Sequence, residues 1–193
     1  MKSFDYDVAD YMTNLVIKFN SYSNELGWKI EKYHTRKEYL YHSAYARRLD
    51  LIIKNGLVQY NTGIDDFILG SGYTRTTLPS YMKIKNILHD LKVIYLGLTL
   101  DDSIYETYHP NAGDFNSLSK MFRVKTKFVE KYLYRDPENK SEALMTLINI
   151  PPKYLEIGIP NGIKRIDKKT KFEYYKYKWV DFADWSKEYL KHR

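Results

Sequence analysis

The period of the apolar residues changes along this chain, and the change confines it to a fold that mixes helices with sheet. Between Asp5 and Ser21, the residues Val8, Tyr11, Met12, Leu15, Val16 and Phe19 recur at helical intervals. After Pro151 and Pro152 the spacing shortens, and towards Trp179 rings alternate with lysines as they do along a half-buried strand. The chain has 193 residues and no cysteine, so its core must come from packing alone. Disulfides, thiolate-held zinc and thiol catalysis are excluded. The expected class is α+β.

Residues 1–34 read as an N-terminal helical arm that ends in a turn at Gly27. A second helix is expected over Thr35–Asn55, with Leu40, Ala44, Leu49, Ile52 and Ile53 as its stripe and Gly56 as its stop. Leu57–Tyr60 reads as a short strand, Ile64–Leu69 as a short helix and Gly70–Gly72 as a turn. A longer helix, Thr76–Leu91, is expected to bury Ile84, Ile87, Leu88 and Leu91. Pro79 then falls in its first turn, where a missing N–H breaks no intrahelical bond. Val93–Thr99 and Ile104–Tyr108 read as two strands joined by a turn at Asp101–Ser103.

The glycine, apolar residue and Thr/Arg cluster of Gly72–Thr77, leading into a basic helix, resemble the second half of a helix-turn-helix. The order of elements over residues 35–109 is similar to that of the winged-helix superfamily. The resemblance implies DNA contact from the leading end of the second helix, through Arg75, Thr76, Thr77, Ser80 and Lys83. On the plainer reading, Thr76 or Thr77 caps a helix whose lysines face water. A second helix-turn-helix candidate covers Phe115–Leu133, with Leu118, Phe122, Val124, Val129 and Tyr132 apolar and Thr126 placed to cap. Its basic edge would be Arg123, Lys125, Thr126, Lys127 and Lys131. Arg123 stands where that family usually has glycine, a departure costing about 1 kcal/mol in a left-handed turn. The plainer alternative is a helical hairpin with its lysines in solvent.

Residues 110–193 would join this candidate to a β-rich wing, an antiparallel β meander of Tyr154–Ile159, Ile163–Ile166 and Lys171–Val180. The Asn161-Gly162 pair is a strong hairpin signal. Lys168 and Lys169, in the following turn, suit a wing tip on phosphates. The basic residues interleaved with Phe172, Tyr174, Tyr175, Tyr177 and Trp179 suit phosphate contact with stacking on unpaired bases, or equally a sheet with one face buried. Asp184–Lys191 reads as a closing helix.

A formal net charge of +7 and a pI near 9.2 favour a polyanionic partner. The expectation is a sequence-specific protein of double-stranded DNA: a transcription regulator, or a replication or maintenance factor of a plasmid or phage. The N-terminal helix is a candidate for homodimer formation. Two alternatives stand beside it: a protein-interaction module on a winged-helix scaffold, and a metal-dependent nuclease built from Asp65 or Asp102 with Glu156 or Glu173. The five histidines lack metal-ligand spacing, and Gly70–Gly72 lacks the lysine of a phosphate loop. No catalytic residue, metal or cofactor is therefore expected. No apolar run is long enough for a membrane span, and the first residues lack a signal-peptide layout, which gives the expectation of a cytoplasmic protein.

Overall fold

The computed structural model describes residues 6–24, 29–61, 81–102, 119–136, 143–166 and 173–192. In chain order the elements are α1 (Tyr6–Ser23), β1 (Tyr39–Tyr45), α2 (Leu49–Asn55), β2 (Tyr60–Asn61), α3 (Tyr81–Asp90), β3 (Lys92–Gly97), β4 (Ser119–Lys125), β5 (Leu133–Arg135), β6 (Ala143–Thr146), β7 (Leu155–Ile166), β8 (Glu173–Asp181) and α4 (Phe182–Lys191). The protein is α+β, with antiparallel strand pairing. It divides into two compact units, each assembled from three separate stretches of chain. The first holds residues 1–36, 57–96 and 129–149; the second holds 37–56, 97–128 and 150–193.

In the first unit, α1 packs against α3. The buried face of α1 is Ala9, Met12, Leu15, Val16 and Phe19, while Tyr11 and Ile17 stay exposed. Asp7 lies in its first turn, where a carboxylate suits the positive end of the helix. The facing stripe of α3 is Ile84, Ile87 and Leu88, followed by Leu91, as the helical spacing predicts. Asn20 fixes the segment after α1 through two bonds: its side-chain amide donates to the Ile30 carbonyl (2.9 Å) and its oxygen accepts from the Ile30 N–H (2.8 Å). Tyr33 N–H then donates to the Leu133 carbonyl and Arg135 N–H to the Glu31 carbonyl, which lays this segment along β5. Strands β5 and β6 pair antiparallel, as do β2 and β3.

In the second unit the strand order is β1-β4-β7-β8. Strand β4 pairs with β1 from Tyr39↔Lys125 to Tyr45↔Ser119 and with β7 from Met121↔Gly158 to Val124↔Leu155. Leu40, Phe122, Val124, Leu155 and Ile157 share one face and are buried. Phe182, at the start of α4, closes that face with its ring edge-on to Phe122 at 5.2 Å. The side chain of Asp181 caps α4 by accepting from the Asp184 N–H at 2.9 Å.

Three expectations are corrected here. Thr35–Asn55 is not one helix: it holds β1, a 3-10 turn at Ala46–Arg48 and the short α2. Phe115–Leu133 is not a helix-turn-helix across its described part, because Ser119–Lys125 is strand and Thr126–Phe128 and Glu130–Tyr132 are 3-10 turns before β5. In the first stretch the i, i+4 pair Leu40 with Ala44 satisfies one face of a helix and, four being even, one face of a strand. Partner strands far away in sequence decided between them. Finally, Asn161-Gly162 makes no hairpin. Strand β7 runs through it, with irregular register to β8 between Pro160 and Arg165, and Gly162 takes φ 83° there. The expected elements at Ile64–Leu69, Gly70–Gly72 and Ile104–Tyr108 lie outside the described residues.

Gly56 does end α2, donating its N–H to the Ile52 carbonyl at 2.7 Å with φ 77° and ψ −162°. That backbone region is open essentially to glycine alone, and a Cβ there would run into the Ile150 carbonyl and Pro151 Cα. Gly56→Ala is therefore expected to lower stability by about 2 kcal/mol. The check is the urea midpoint at unchanged slope; a midpoint equal to that of the unaltered chain would refute the constraint.

Candidate nucleic-acid interface

The pairing register sorts the second unit's side chains onto two faces. Opposite the apolar face, β1 contributes Tyr39 and Tyr41, β4 contributes Met121, Arg123 and Lys125, β7 contributes Glu156 and Gly158, and β8 contributes Tyr177 and Trp179. Tyr39, Tyr41, Arg123, Lys125, Glu156, Tyr177 and Trp179 are all half-buried, so each keeps surface in solvent. Met121 is covered, with Leu100, Tyr174, Tyr177 and Trp179 packed around it.

Arg123 is the centre of this face. Its guanidinium carbon lies 3.8 Å from the centroid of the Tyr39 ring and 4.7 Å from that of Trp179. Its Nε and Nη2 both approach Oε2 of Glu156, at 2.7 Å and 2.5 Å. The two side chains are 19% and 25% exposed, which removes much of the screening that makes surface ion pairs weak. Each guanidinium–ring contact adds on the order of 1 kcal/mol in such a setting.

The rings continue in both directions from Trp179. Tyr41 and Tyr177 each lie 5.8 Å from it, centroid to centroid. Gly158 makes room for them: a Cβ there would stand 2.8 Å from Cδ1 of Tyr177 and 3.1 Å from Cζ3 of Trp179. Further along the β7–β8 hairpin, the Arg165 guanidinium carbon sits 3.9 Å from the Tyr174 ring centroid. Asp101 accepts from Arg165 at 3.0 Å and faces Lys164 at 3.9 Å. Two cations share one carboxylate there.

The residues named from the sequence are scattered. Lys83 lies on the exposed side of α3 in the first unit, its ammonium 5.0 Å from the Tyr22 ring centroid. Arg75, Thr76, Thr77, Ser80, Lys168 and Lys169 fall outside the described residues. Arg123 and Lys125 come together on the sheet face, with Lys125 5.9 Å from the Tyr39 ring centroid. Thr126 caps no α-helix: it is buried in a 3-10 turn, and its N–H donates to the Glu38 carbonyl at 2.9 Å. Lys127 is exposed beside Phe128. Lys131 belongs to the first unit, beside Tyr132, and its carbonyl accepts from Lys32.

The local sequence does not mark Tyr39, Tyr41, Glu156 and Gly158 as a binding face. The available signal was the two-residue spacing of Tyr39 with Tyr41 and of Tyr177 with Trp179, which puts each pair on one side of a strand. Of the carboxylates considered for a nuclease, Glu156 holds Arg123, Asp102 accepts from the Thr99 N–H, and Glu173 accepts from the Tyr175 hydroxyl. Asp65 lies outside the described residues. Among the described residues no three His, Cys, Asp or Glu groups gather to hold a metal ion, and no helix is long and apolar enough to cross a membrane. No protein-family model matches the chain, and neither does any curated protein or solved structure.

Removing one member of the central pair leaves the other largely desolvated without a partner. Arg123→Met is expected to cost about 2 kcal/mol, and adding Glu156→Leu should restore most of that loss. Urea midpoints of the two single variants and the double variant test the coupling. A double variant whose loss equals the sum of the single losses would show that the pair is not coupled.

Proposed function

We propose that this protein binds nucleic acid on the ring-and-arginine face of the second unit's sheet. The observation that carries the reading is Arg123 held between Tyr39 and Trp179, in a row of rings that ends in cationic groups on both sides. Rings offer flat apolar surfaces to bases, and lysine or arginine at the rim offers charge to phosphates. The net charge of +7 adds long-range attraction for a polyanion. From Glu156 to Arg165 the hairpin spans about 30 Å at roughly 3.3 Å per residue. That is room for a site at the small end of the range known for sheet-type binders, on the order of 4 nucleotides. Transcription control, or upkeep of a plasmid or phage genome, is the kind of process that such binding would serve.

Fluorescence anisotropy of a labelled oligonucleotide, titrated at several salt concentrations, tests the proposal. Affinity should fall as salt rises, and Lys125→Ala should reduce the magnitude of the log–log slope by about 0.7 to 0.9, the amount carried by one phosphate contact. Absence of binding, or binding indifferent to salt, would overturn the reading.

A second reading keeps the winged-helix expectation, and one observation favours it. The short β2 before α3 pairs with β3 after it, and α3 turns Lys83 and Asn86 to solvent. In that reading α3 is the leading element on duplex DNA, with Arg75 before it. Arg75→Ala should then weaken binding to a selected duplex more than to random duplex of the same length. Equal losses on both would move Arg75 from base reading to phosphate contact.

A further inference from the structure

Resting on the sheet-face reading above, we infer that the occupant of this face is an unpaired stretch of nucleic acid, held by its base faces, and that duplex is excluded from it. Three observations lead there. The first is width. Neighbouring strands lie about 4.8 Å apart, so four of them span roughly 14 Å before side chains are added, whereas the major groove of a duplex is about 12 Å wide and takes a helix or a two-stranded ribbon. Over residues 155–158, where β4 flanks β7, the sheet β1-β4-β7-β8 is too broad to enter; beyond Gly158 the β7–β8 ribbon is two strands wide, so the exclusion applies to the ring-and-arginine centre.

The second is the state of the central cation. Arg123 faces Glu156 at 2.5 Å, so the middle of the face carries little net charge with which to clamp a duplex backbone. What the guanidinium supplies there is contact with rings, its carbon lying 3.8 Å from the Tyr39 centroid and 4.7 Å from that of Trp179. Base faces are hidden inside a duplex and available only where the strands are apart.

The third is the division of labour across the face. The centre holds Tyr39, Tyr41, Tyr177 and Trp179, with Gly158 leaving the space that lets two of those rings lie where they do. Cationic groups stand at the two ends: Lys125 beside Tyr39, and at the far end of the hairpin Lys164 with Arg165, two cations against the single carboxylate of Asp101. A single strand laid along such a face stacks its bases at the centre and passes its phosphates over the ends. Every base has a flat face, so the contact is indifferent to sequence.

The test uses the full chain with labelled oligothymidylate of about 15 nucleotides, a blunt duplex of the same length, and inorganic polyphosphate as a charge-only probe. The single strand should bind at least about tenfold more tightly than the duplex. Trp179→Ala should weaken single-strand binding about tenfold while changing polyphosphate binding less than about twofold, and Trp179→Phe, which keeps a ring, should stay within about threefold. Lys187→Ala removes a charge from α4, which packs through Phe182 on the opposite, apolar side of the sheet, and should leave the single strand bound as before. Because Trp179→Ala also opens the packing around Met121, a readout on the intact face accompanies it. In Trp28→Phe/Trp185→Phe protein the remaining indole is Trp179, and its emission should be quenched as oligothymidylate saturates. Equal affinity for the two DNAs would overturn strand selection and leave the nucleic-acid reading standing. Binding of neither DNA would overturn both, and unquenched Trp179 with the strand bound would place the strand elsewhere.

Discussion

The arrangement of the second unit depends on β4 lying between two partners. Its pairing with β1 joins residues 39–45 to residues 119–125, and its pairing with β7 adds residues 155–158. With a neighbour on each side, the strand's alternation sends Phe122 and Val124 into a fully buried layer and Met121, Arg123 and Lys125 to the other side. A slip of one residue against either partner would exchange these two sets and bury a guanidinium among leucines. The register is therefore held by the large penalty of that exchange, and the layout of the ring-and-arginine face follows from it.

Helices with a full apolar stripe were legible in the sequence. The stripe of α3 from Ile84 to Leu91, the stop at Gly56 and the closing helix stand as the local pattern predicts, and so do Met12, Leu15, Val16 and Phe19 of α1, whereas Tyr11, expected in that stripe, is exposed and Ala9 takes a buried place. These are elements whose signal and whose structure are both local. Where the structure depends on distant pairing, the same local pattern was ambiguous. Leu40 with Ala44 fits either period, and nothing near residue 40 in sequence reveals that residue 124 is its partner. Asn161-Gly162 shows a different ambiguity: a pair suited to positive φ serves a hairpin turn and a bulge equally well, and the pairing of β8 across it selected the bulge.

The candidate site was half legible. The local pattern makes Arg123 and Lys125 the basic edge of a helix; they are instead neighbours-but-one on a strand, which is why they share a face with rings rather than with other lysines. The oddity of Arg123 at a supposed left-handed turn was itself a sign that no such turn exists. Trp179 and Tyr177 were visible through their alternation, yet their companions Tyr39 and Tyr41 lie about 140 residues away and join them only through two intervening strands. Gly158 carried no signal, because the reason for a missing side chain lies in the rings across the ladder.

The interleaving of the two units has a consequence for the order in which the chain completes itself. The last stretch of the first unit ends at Asn149, and the last stretch of the second begins at Ile150. During synthesis from the N-terminus the first unit thus has all its parts before β7, β8 and α4 have left the ribosome. Strands β1 and β4 must meanwhile wait, with Leu40, Phe122 and Val124 lacking the cover of Ile157 and Phe182. The order of the stretches along the chain thus gives the first unit its residues early, while the apolar side of β1 and β4 is covered only by residues from 157 onward.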